Sequence, residues 1–443
     1  MNLTFLAYTM IVVFMALIMT KRMSVLTALA LVPIVFGVIG GFGPKLGPMM
    51  LDGIKALAPT GVMLTFAILY FGIMIDVGLF DPVVKLVVRL VHGDPVKIVV
   101  GTAALALFVS LDGDGSTTYL ITTAALLPLY LRLKMDRLVL ASVIMQASGV
   151  MNVLPWGGPT ARAATALKLD MGQVFPPLVP GMVVGAAWVL FVAWILGRRE
   201  RKRLGVLSDA NLGEIHASMD DNAKAVLNID ESIRRPKLVW INFALTAALL
   251  VTLIAGLLPL PVLFLIALAL ALAINYPSLE EQKARISANA GNALAVVAVI
   301  FAAGIFTGVL SGTKMVDAIA NSVVALVPPA LGQYLAVITG ILSMPFTFFL
   351  SNDAFYFGVV PILSQAASAY GISAAEIARA SLVGQPVHLL SPLVPSTYLL
   401  VGLAKVEFGD HQKFTLKWTV ATSMIILLVN ILVGVIPLLG HAP

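Results

Sequence analysis

The chain has 443 residues, of which 60% are hydrophobic and only 11% are charged. A soluble fold could not cover this much apolar surface, so the sequence predicts a protein embedded in the lipid bilayer. It has no cysteine, which excludes disulfides, iron–sulfur clusters and thiolate zinc sites. The net charge of +6 comes largely from basic residues at loop ends, where the positive-inside rule places them, so we expect no nucleic-acid partner.

Apolar stretches of about 20 residues, the length that crosses roughly 30 Å of hydrocarbon, predict the membrane spans. They lie near residues 2–20, 24–43, 60–80, 174–197, 237–256, 258–276, 293–312 and 413–437. The first stretch ends at Lys21-Arg22 without a small-residue cleavage site. It is therefore predicted to be a retained helix and not a signal peptide.

One long polar loop, residues 198–236, predicts the orientation of the chain in the membrane. It begins with a basic cluster made up of Arg198, Arg199, Arg201, Lys202 and Arg203. Because cytoplasmic loops are rich in Lys and Arg, this loop is predicted to be cytoplasmic and both termini external. We therefore expect a multi-pass protein of the cytoplasmic (inner) membrane.

A weak internal repeat relates the two halves of the chain. The sequence YFGIMIDVG around Gly72 resembles AAGIFTGVL around Gly304, and the amphipathic segments 45–58 and 278–292 occupy equivalent places. Further matches share one constant offset: Asp114 with Asp353, Ala141-Ser142 with Ala380-Ser381, and Gln146 with Gln385. An odd number of spans separates equivalent elements, so the two halves are predicted to be inverted, as in many secondary transporters.

The repeat predicts a division of the chain into five parts. These are an N-terminal helix (1–23), a first repeat (24–197) with a hairpin at 96–131 and a broken helix at 137–170, a cytoplasmic connector (198–236), a linking helix (237–257), and a second repeat (258–437) with a hairpin at 331–370 and a broken helix at 375–406.

Polar residues interrupt two apolar regions and predict re-entrant hairpins. The first tip is SLDGDGSTT (110–118) and the second is LSNDAFY (350–356). Non-helical backbone at membrane depth needs partners in protein or in a wet cavity, and glycine permits the tight turn. The predicted topology makes the hairpins enter from opposite sides, so their tips should meet near the midplane.

Each hairpin is followed by a helix that is broken at prolines. The breaks are NVLPWGGPT (152–160) and SPLVPST (391–397). Proline pairs unwind a helix and free its carbonyl groups. Paired discontinuous helices in corresponding positions indicate a transport site.

Three aspartates lie at the tips: Asp112, Asp114 and Asp353. An intramembrane Asp costs about 2.5–3.5 kcal/mol on insertion scales, so each is predicted to bind a cation or a proton. Alternatively, each could cap its turn by accepting backbone N–H bonds. Carboxylates together with hydroxyls and carbonyls suit Mg²⁺ or Ca²⁺, but three acids alone do not separate metal from proton.

Two further polar side chains have two interpretations each. Arg162 is either a clamp for an anion or an interfacial residue that extends toward water. His388 either relays protons or binds a carboxylate, or it packs through a hydrogen bond. The sequence contains no nucleophile–base set, phosphate loop or dinucleotide fingerprint, so we do not expect an enzyme.

Four motifs together resemble CitMHS, the citrate–metal:proton symporter family of the ion transporter superfamily. They are SLDGDGSTTY (110–119), NVLPWGGPTARAA (152–164), LSNDAFYFGVVP (350–361) and SPLVPSTYLLVG (391–402), and the resemblance spans nearly the whole chain. It implies an all-α polytopic fold with two inverted repeats, and scaffold and transport domains that work as an elevator in a homodimer. It also implies that citrate crosses as a complex with a divalent metal of the Mg or Ca class, driven by protons and without a permanently bound cofactor.

The resemblance places the substrate site at the tips and breaks. The implied substrate-binding residues are Ser110, Gly113, Gly115, Ser116, Thr117, Thr118, Asn152, Gly157, Gly158, Pro159, Thr160, Ser351, Asn352, Ser391, Ser396 and Thr397, with Asp112, Asp114 and Asp353 as ligands of metal or proton. Arg162 and His388 are predicted to join the substrate-binding residues from their residue types alone. Sodium-coupled members of the superfamily carry Ser-Asn-Thr at both tips, whereas this chain has Asp-Gly-Asp and Ser-Asn-Asp. This departure argues against sodium coupling. The alternatives are transport of metal-free di- or tricarboxylates or other anions, and an ion channel or a structural subunit of a larger complex.

Overall fold

The computed structural model describes residues 2–20, 22–90, 94–113, 115–205, 231–326 and 329–440. Within these ranges the chain forms helices and turns and no strand, so the predicted all-α class is confirmed. Asp114 lies outside the described residues, as do residues 206–230 of the predicted connector.

The first half contains ten helices. They are α1 (Leu3–Met19), α2 (Val25–Ile39), α3 (Gly43–Asp76), α4 (Asp81–Leu90), α5 (Pro95–Val109), α6 (Gly115–Arg132), α7 (Arg137–Met151), α8 (Gly158–Ala166), α9 (Met171–Val174) and α10 (Val179–Leu204), among the described residues. Short 3₁₀ turns at Ser110–Asp112 and Pro176–Leu178 complete this half.

The second half begins with 3₁₀ turns at Glu231–Ile233 and Pro236–Leu238. Its helices in the described ranges are α11 (Val239–Ile254), α12 (Leu260–Asn275), α13 (Leu279–Gly312), α14 (Met315–Leu326), α15 (Pro329–Gly332), α16 (Leu335–Phe349), α17 (Val360–Ser368), α18 (Ala374–Ser381), α19 (Gln385–His388), α20 (Pro395–Ala404) and α21 (Phe408–Leu432). A π-helical segment, Ala354–Val359, precedes α17.

Six helical segments of the described chain are long and apolar enough to cross a membrane. They are Gly43–Asp76, Pro95–Asp112, Met171–Leu204, Glu231–Ile254, Leu279–Gly312 and Phe408–Leu432. Three other predicted spans form shorter apolar helices, at Leu3–Ile18, Val25–Ile39 and Leu260–Asn275. These helices support the prediction of a polytopic membrane protein.

The predicted starts of two spans were wrong. The spans expected at 60–80 and 293–312 belong to α3 and α13, each 34 residues long, which also contain the amphipathic segments 45–58 and most of 278–292. The physical reason is that these two helices bury each other along much of their length, which a hydropathy window does not detect.

Glycines allow α3 and α13 to pack backbone against backbone. A Cβ at Gly53 would lie 2.0 Å from the Gly304 carbonyl oxygen, and one at Gly308 would lie 2.3 Å from the Met49 carbonyl oxygen. Small residues at such spacing let membrane helices approach closely. The start of α3 contacts the end of α13, whereas Asn289 near the start of α13 donates to Asp76 at the end of α3. The two equivalent helices are therefore antiparallel, as inverted repeats require.

Left-handed turns recur in the same order in both halves. Residues with positive φ pair as Gly78 with Lys314, Lys134 with Gly371, and Lys168 with Lys405, separated by 236 or 237 residues in every pair. Lys168 and Lys405 end the equivalent helices α8 and α20. A residue in the left-handed region commonly terminates a helix, and a lysine there complements the helix dipole. The backbone of one half is thus repeated in the other.

The hairpins pack against the broken helices of the opposite half. The second arm of the first hairpin, α6, contacts α20, and α7 contacts α19. The π-helical segment of the second hairpin contacts α8. These crossed contacts bring both tips and both breaks into one region of the molecule.

Candidate functional site

The first tip is a tight turn that depends on Gly113. Helix α5 ends at Val109, a 3₁₀ turn covers Ser110–Asp112, and Gly113 has φ of 80°. The Ser110 and Thr118 hydroxyls lie 3.1 Å apart and join the two arms. The Asp112 side chain is buried in this turn.

The first break supports the first tip. Trp156 is buried, and its Nε1 donates a hydrogen bond of 3.0 Å to the Leu111 carbonyl oxygen. The Thr160 hydroxyl donates to the Val153 carbonyl oxygen at 2.9 Å, which satisfies a carbonyl that the unwound helix leaves open. A Cβ at Gly157 would lie 2.6 Å from the Asn152 carbonyl oxygen, so this position has no room for a side chain.

The second tip differs from the first because it starts a helix directly. The Ser351 hydroxyl accepts a hydrogen bond of 3.2 Å from the Ala354 amide. The chain then continues as the π-helical segment, a wide turn that is often found at functional sites. Ser351 therefore caps this tip, and the Asp353 carboxylate is directed to another partner.

That partner is Arg162, which is 191 residues away from Asp353 in the sequence. Arg162 Nε donates a hydrogen bond of 2.6 Å to Asp353 Oδ1. The side chains are 22% and 14% exposed, so the pair is partly accessible. Arg162 follows the first break and Asp353 lies at the second tip, so the pair joins the two halves. Of the two sequence interpretations of Arg162, the contact favours the inward-facing one.

Gln385 connects the first break to the second tip by side-chain hydrogen bonds. Asn152 Nδ2 donates to Gln385 Oε1 at 2.9 Å, and Gln385 Nε2 donates to the Tyr356 hydroxyl at 2.8 Å and to Asn352 Oδ1 at 3.3 Å. Tyr356 in turn donates to the Ser381 carbonyl oxygen at 3.3 Å. The oxygen and the nitrogen of the buried Gln385 amide therefore both have partners, and this network fixes the position of the second tip.

The second break braces the first arm of the second hairpin. His388 is buried, and its Nδ1 lies 2.6 Å from the Thr347 carbonyl oxygen, to which it must donate. The Ser391 hydroxyl donates to the Phe348 carbonyl oxygen at 2.7 Å. The Thr397 hydroxyl donates to the Leu389 carbonyl oxygen. The contact of His388 agrees with the packing interpretation of this residue.

The first tip also contacts the second break. A Cβ at Gly115 would lie 3.7 Å from the Ser396 hydroxyl oxygen and 3.7 Å from that of Ser148. The second tip contacts the first break through Arg162 and Gln385, and the first tip contacts it through Trp156. All four interruptions of the sequence therefore form one connected cluster.

Burial divides the predicted site residues into two groups. Those that are buried are Ser110, Asp112, Thr118, Gly157, Pro159, Thr160, His388, Ser391 and Thr397. Those that are partly exposed are Gly113, Gly115, Ser116, Thr117, Asn152, Gly158, Arg162, Ser351, Asn352, Asp353 and Ser396. The second group supplies hydroxyl, amide, guanidinium and carboxylate groups, which can hold both an anion and a hard cation.

Three residues of this cluster were absent from the predicted site. Gln385 and Tyr356 form the network at the second tip, and Trp156 holds the first tip. Gln385 could have been predicted as a site residue, because it matches Gln146 in the internal repeat. Tyr356 and Trp156 lie inside the quoted motifs, but nothing in their residue types indicated which carbonyl or amide they contact.

The described residues, which do not include Asp114, contain no group of three or more His, Asp or Glu side chains able to hold a metal ion. Asp112, Asp114 and Asp353 as ligands of metal or proton therefore stay a prediction.

Comparison with known proteins gives consistent matches. A sequence profile of the CitMHS family, described as citrate transporter, matches residues 14–384. A "Citrate transporter" of Bacillus subtilis (strain 168) is 62% identical over 434 residues, covering 98% of this chain and 99% of the relative. A "Mg(2+)/citrate complex secondary transporter" of the same organism is 52% identical over 438 residues, with 98% and 99% covered.

Two solved structures share the fold at low sequence identity. The YdaH transporter of Alcanivorax borkumensis has a TM-score of 0.64 and 15% identity, covering 98% of both chains. MtrF of Neisseria gonorrhoeae has a TM-score of 0.64 and 13% identity, covering 92% of this chain and 88% of its own. The fold of this chain is thus that of membrane transporters, and on the profile and the relatives together the chain belongs to the CitMHS family of citrate transporters.

Proposed function

We propose that this protein is a secondary active transporter that carries citrate as a complex with a divalent metal ion of the Mg or Ca class, together with protons, across the cytoplasmic membrane. The observation that carries the proposal is the Arg162–Asp353 pair. It presents a positive and a negative group side by side, partly exposed, where the two halves meet. A metal–citrate complex offers the complementary pair of charges.

The charge of citrate explains why a complex is a suitable cargo. Citrate is a trianion, and moving it bare into a site of low dielectric would be costly. A bound divalent cation lowers that charge, and protons neutralise what remains during the crossing. The proposal is supported by the relative named for a Mg²⁺/citrate complex, which is 52% identical to this chain.

The substrate is proposed to bind at the partly exposed groups of the cluster, which the buried residues hold in place. Asp112, Asp114 and Asp353 are proposed to bind the metal or carry the protons. The division of the chain into the five parts given above, a scaffold and a transport domain that moves as an elevator, and a homodimer belong to the same proposal.

Uptake of labelled citrate by proteoliposomes tests the function. We expect uptake that saturates, that requires Mg²⁺ or Ca²⁺, and that increases with an inward proton gradient. Equal uptake in EDTA and without a pH gradient would contradict the proposal. Asp353→Asn should abolish the metal-dependent part of uptake, whereas Asp317→Asn, a change at an exposed acid on α14, should leave uptake unchanged.

The same assay separates the alternatives. Saturable uptake that proceeds equally in EDTA would identify a carrier of metal-free di- or tricarboxylates. Ohmic currents without accumulation against a gradient would identify an ion channel. Neither alternative explains why a carboxylate lies beside the arginine in the cluster.

A further inference from the structure

We propose that the Arg162–Asp353 ion pair holds the place of the substrate and exchanges partners with it. On loading, a free carboxylate of citrate takes the place of Asp353 on Arg162, and the metal ion takes the place of Arg162 on Asp353. This inference rests on the function proposed above and adds a basis for substrate selection. Only a substrate with a positive and a negative group can replace Asp353 on Arg162 and Arg162 on Asp353 at the same time.

The geometry of the pair suits such an exchange. One hydrogen bond, from Arg162 Nε to Asp353 Oδ1, joins the two groups. A guanidinium has five N–H donors and a carboxylate two acceptor oxygens, so the pair uses a small part of its bonding capacity. A carboxylate that bridges two nitrogens of Arg162 would form a stronger, bidentate contact than the present one.

Access to the pair contrasts with the burial around it. Arg162 and Asp353 are 22% and 14% exposed. Gln385 and Tyr356, which hold the second tip directly beside them, are fully buried. The rigid network therefore fixes the position of Asp353, while the charged groups themselves stay within reach of a ligand.

Room for the guanidinium comes from Gly158. A Cβ at this position would lie 2.7 Å from Arg162 Nη1, so the arginine lies against the bare backbone of the first helical turn of α8. A side chain at this position would therefore compete with the guanidinium for its place beside Asp353. Arg162 and Asp353 also belong to different halves of the chain, so the exchange would change the contacts of both halves.

Charge balance decides which ligands can enter. Metal-free citrate could pair with Arg162 only by placing its remaining carboxylates near Asp353, which repels them. A metal ion alone could bind Asp353 only beside the positive charge of Arg162. The complex satisfies both residues and leaves neither charge without a partner. The pair thus selects the complex over each of its components.

Charge-neutralising variants test the exchange. The test measures binding affinities by calorimetry for the wild type, Arg162→Gln, Asp353→Asn and the double variant. The ligands are citrate in EDTA, Mg²⁺ alone, and both together. We expect Asp353→Asn to bind metal-free citrate about tenfold more tightly than wild type, because Arg162 is released. We expect Arg162→Gln to bind Mg²⁺ alone about tenfold more tightly, because Asp353 is released.

The double variant separates exchange from a purely structural bridge. It has no uncompensated charge, so it should unfold near the wild-type temperature, yet it should not bind or transport the complex. Transport by the double variant at the wild-type rate would show that the pair is only structural and would overturn the proposal. So would single variants that bind citrate and Mg²⁺ no better than wild type.

The proposed function is tested separately on the wild type. If wild-type uptake is independent of metal, the function itself has failed. If wild-type uptake requires metal but the variants bind as wild type does, only the exchange has failed.

Discussion

The two hairpin tips occupy equivalent places in the two halves, yet they are built differently. The first tip turns through a 3₁₀ segment and a left-handed Gly113, and Trp156 holds its backbone. The second tip begins a helix capped by Ser351, and side chains hold it: Arg162 on its carboxylate and Gln385 on Asn352. Trp156 bonds a backbone carbonyl of the first tip, whereas Arg162 and Gln385 bond side chains of the second tip.

Part of the difference comes from side chains that the repeat does not share. The offset of 237 residues that aligns the ends of α8 and α20 places Leu399 opposite Arg162, so the second broken helix carries no arginine at this position. Gln385 contacts the second tip, whereas its equivalent Gln146 donates to Ser142 in its own helix. The inverted repeat therefore supplies a symmetric frame, in which one half provides the arginine and the other its carboxylate.

Replacing Gly113 by alanine should have the largest effect on the first tip. A left-handed alanine costs about 1–2 kcal/mol, and its Cβ would also lie 2.5 Å from the buried Trp156 ring. We expect citrate uptake by proteoliposomes to fall about tenfold and the thermal unfolding temperature to decrease.

Gly115→Ala is the matched control within the same tip. Its Cβ would meet its nearest neighbours at 3.7 Å, an ordinary contact, so the unfolding temperature should stay near the wild-type value. Equal decreases of the unfolding temperature in both variants would show that the tip tolerates no added methyl group and that backbone geometry at Gly113 is not the cause.

Removing Gln385 should have the next largest effect, and it acts on the second tip. Gln385→Leu leaves the buried Tyr356 hydroxyl without its amide donor, at a cost of about 1–3 kcal/mol. It also frees Asn152 and Asn352, so we expect weaker citrate binding as well as a lower unfolding temperature. Both are measured on the purified protein.

Gln146→Leu tests whether the asymmetry is real. Gln146 is equally buried, but its amide donates within its own helix, so the loss should be smaller and citrate binding should not change. Citrate binding that weakens equally in the two variants would contradict the assignment of different roles to these equivalent residues.

The frame of the fold was predictable because lipid imposes simple rules on sequence. Apolar length predicted most of the long apolar helices, and a polar interruption lies where the structure turns between Pro95–Val109 and Gly115–Arg132. The joining of the amphipathic segments to α3 and α13 was not predictable. It depends on which glycines face each other, and Gly53 and Gly304 are 251 residues apart in the chain.

The site was predictable as a set of residue types but not as a set of contacts. The sequence left open whether Arg162 faces an anion or the interface, since both occur at the end of a broken helix. The contact with Asp353 depends on a tertiary arrangement of two halves and favours the inward direction. His388 was open for the same reason, because its partner is a backbone carbonyl, which every residue carries.

Trp156→Phe should decrease stability moderately, and it tests whether the Trp156 hydrogen bond holds the first tip. It retains the ring contacts with Phe71 and Phe264 but removes the hydrogen bond to the Leu111 carbonyl oxygen, worth about 1 kcal/mol. We expect a modestly lower unfolding temperature. The control is Trp188→Phe, because the buried Trp188 Nε1 has no hydrogen-bond partner among the described residues. An equal decrease in both would assign the effect to ring size.

The smallest effect should come from the base of the first hairpin, where Asp94 pairs with Arg201 at the end of α10. Burial acts to raise the pKa of Asp94, but hydrogen bonds from Arg201 and the Val96 amide lower it by more, so the net pKa lies below its ordinary value. A lowered pKa contributes stability above the unfolded-state value, about 3.9, and this contribution is lost as the pH falls further. Because Arg201 is 44% exposed, water screens the pair.

Asp94→Asn isolates this charge, since asparagine still caps α5 through the Val96 amide. We expect the unfolding temperature of wild type to exceed that of the variant slightly at pH 6, and the difference to shrink as the pH falls below about 4. A difference that stays constant across this range would mean that the carboxylate acts by shape and not by charge. In that case charge would not position the base of the first hairpin, and the contrast with the Arg162–Asp353 ion pair at the second tip would widen.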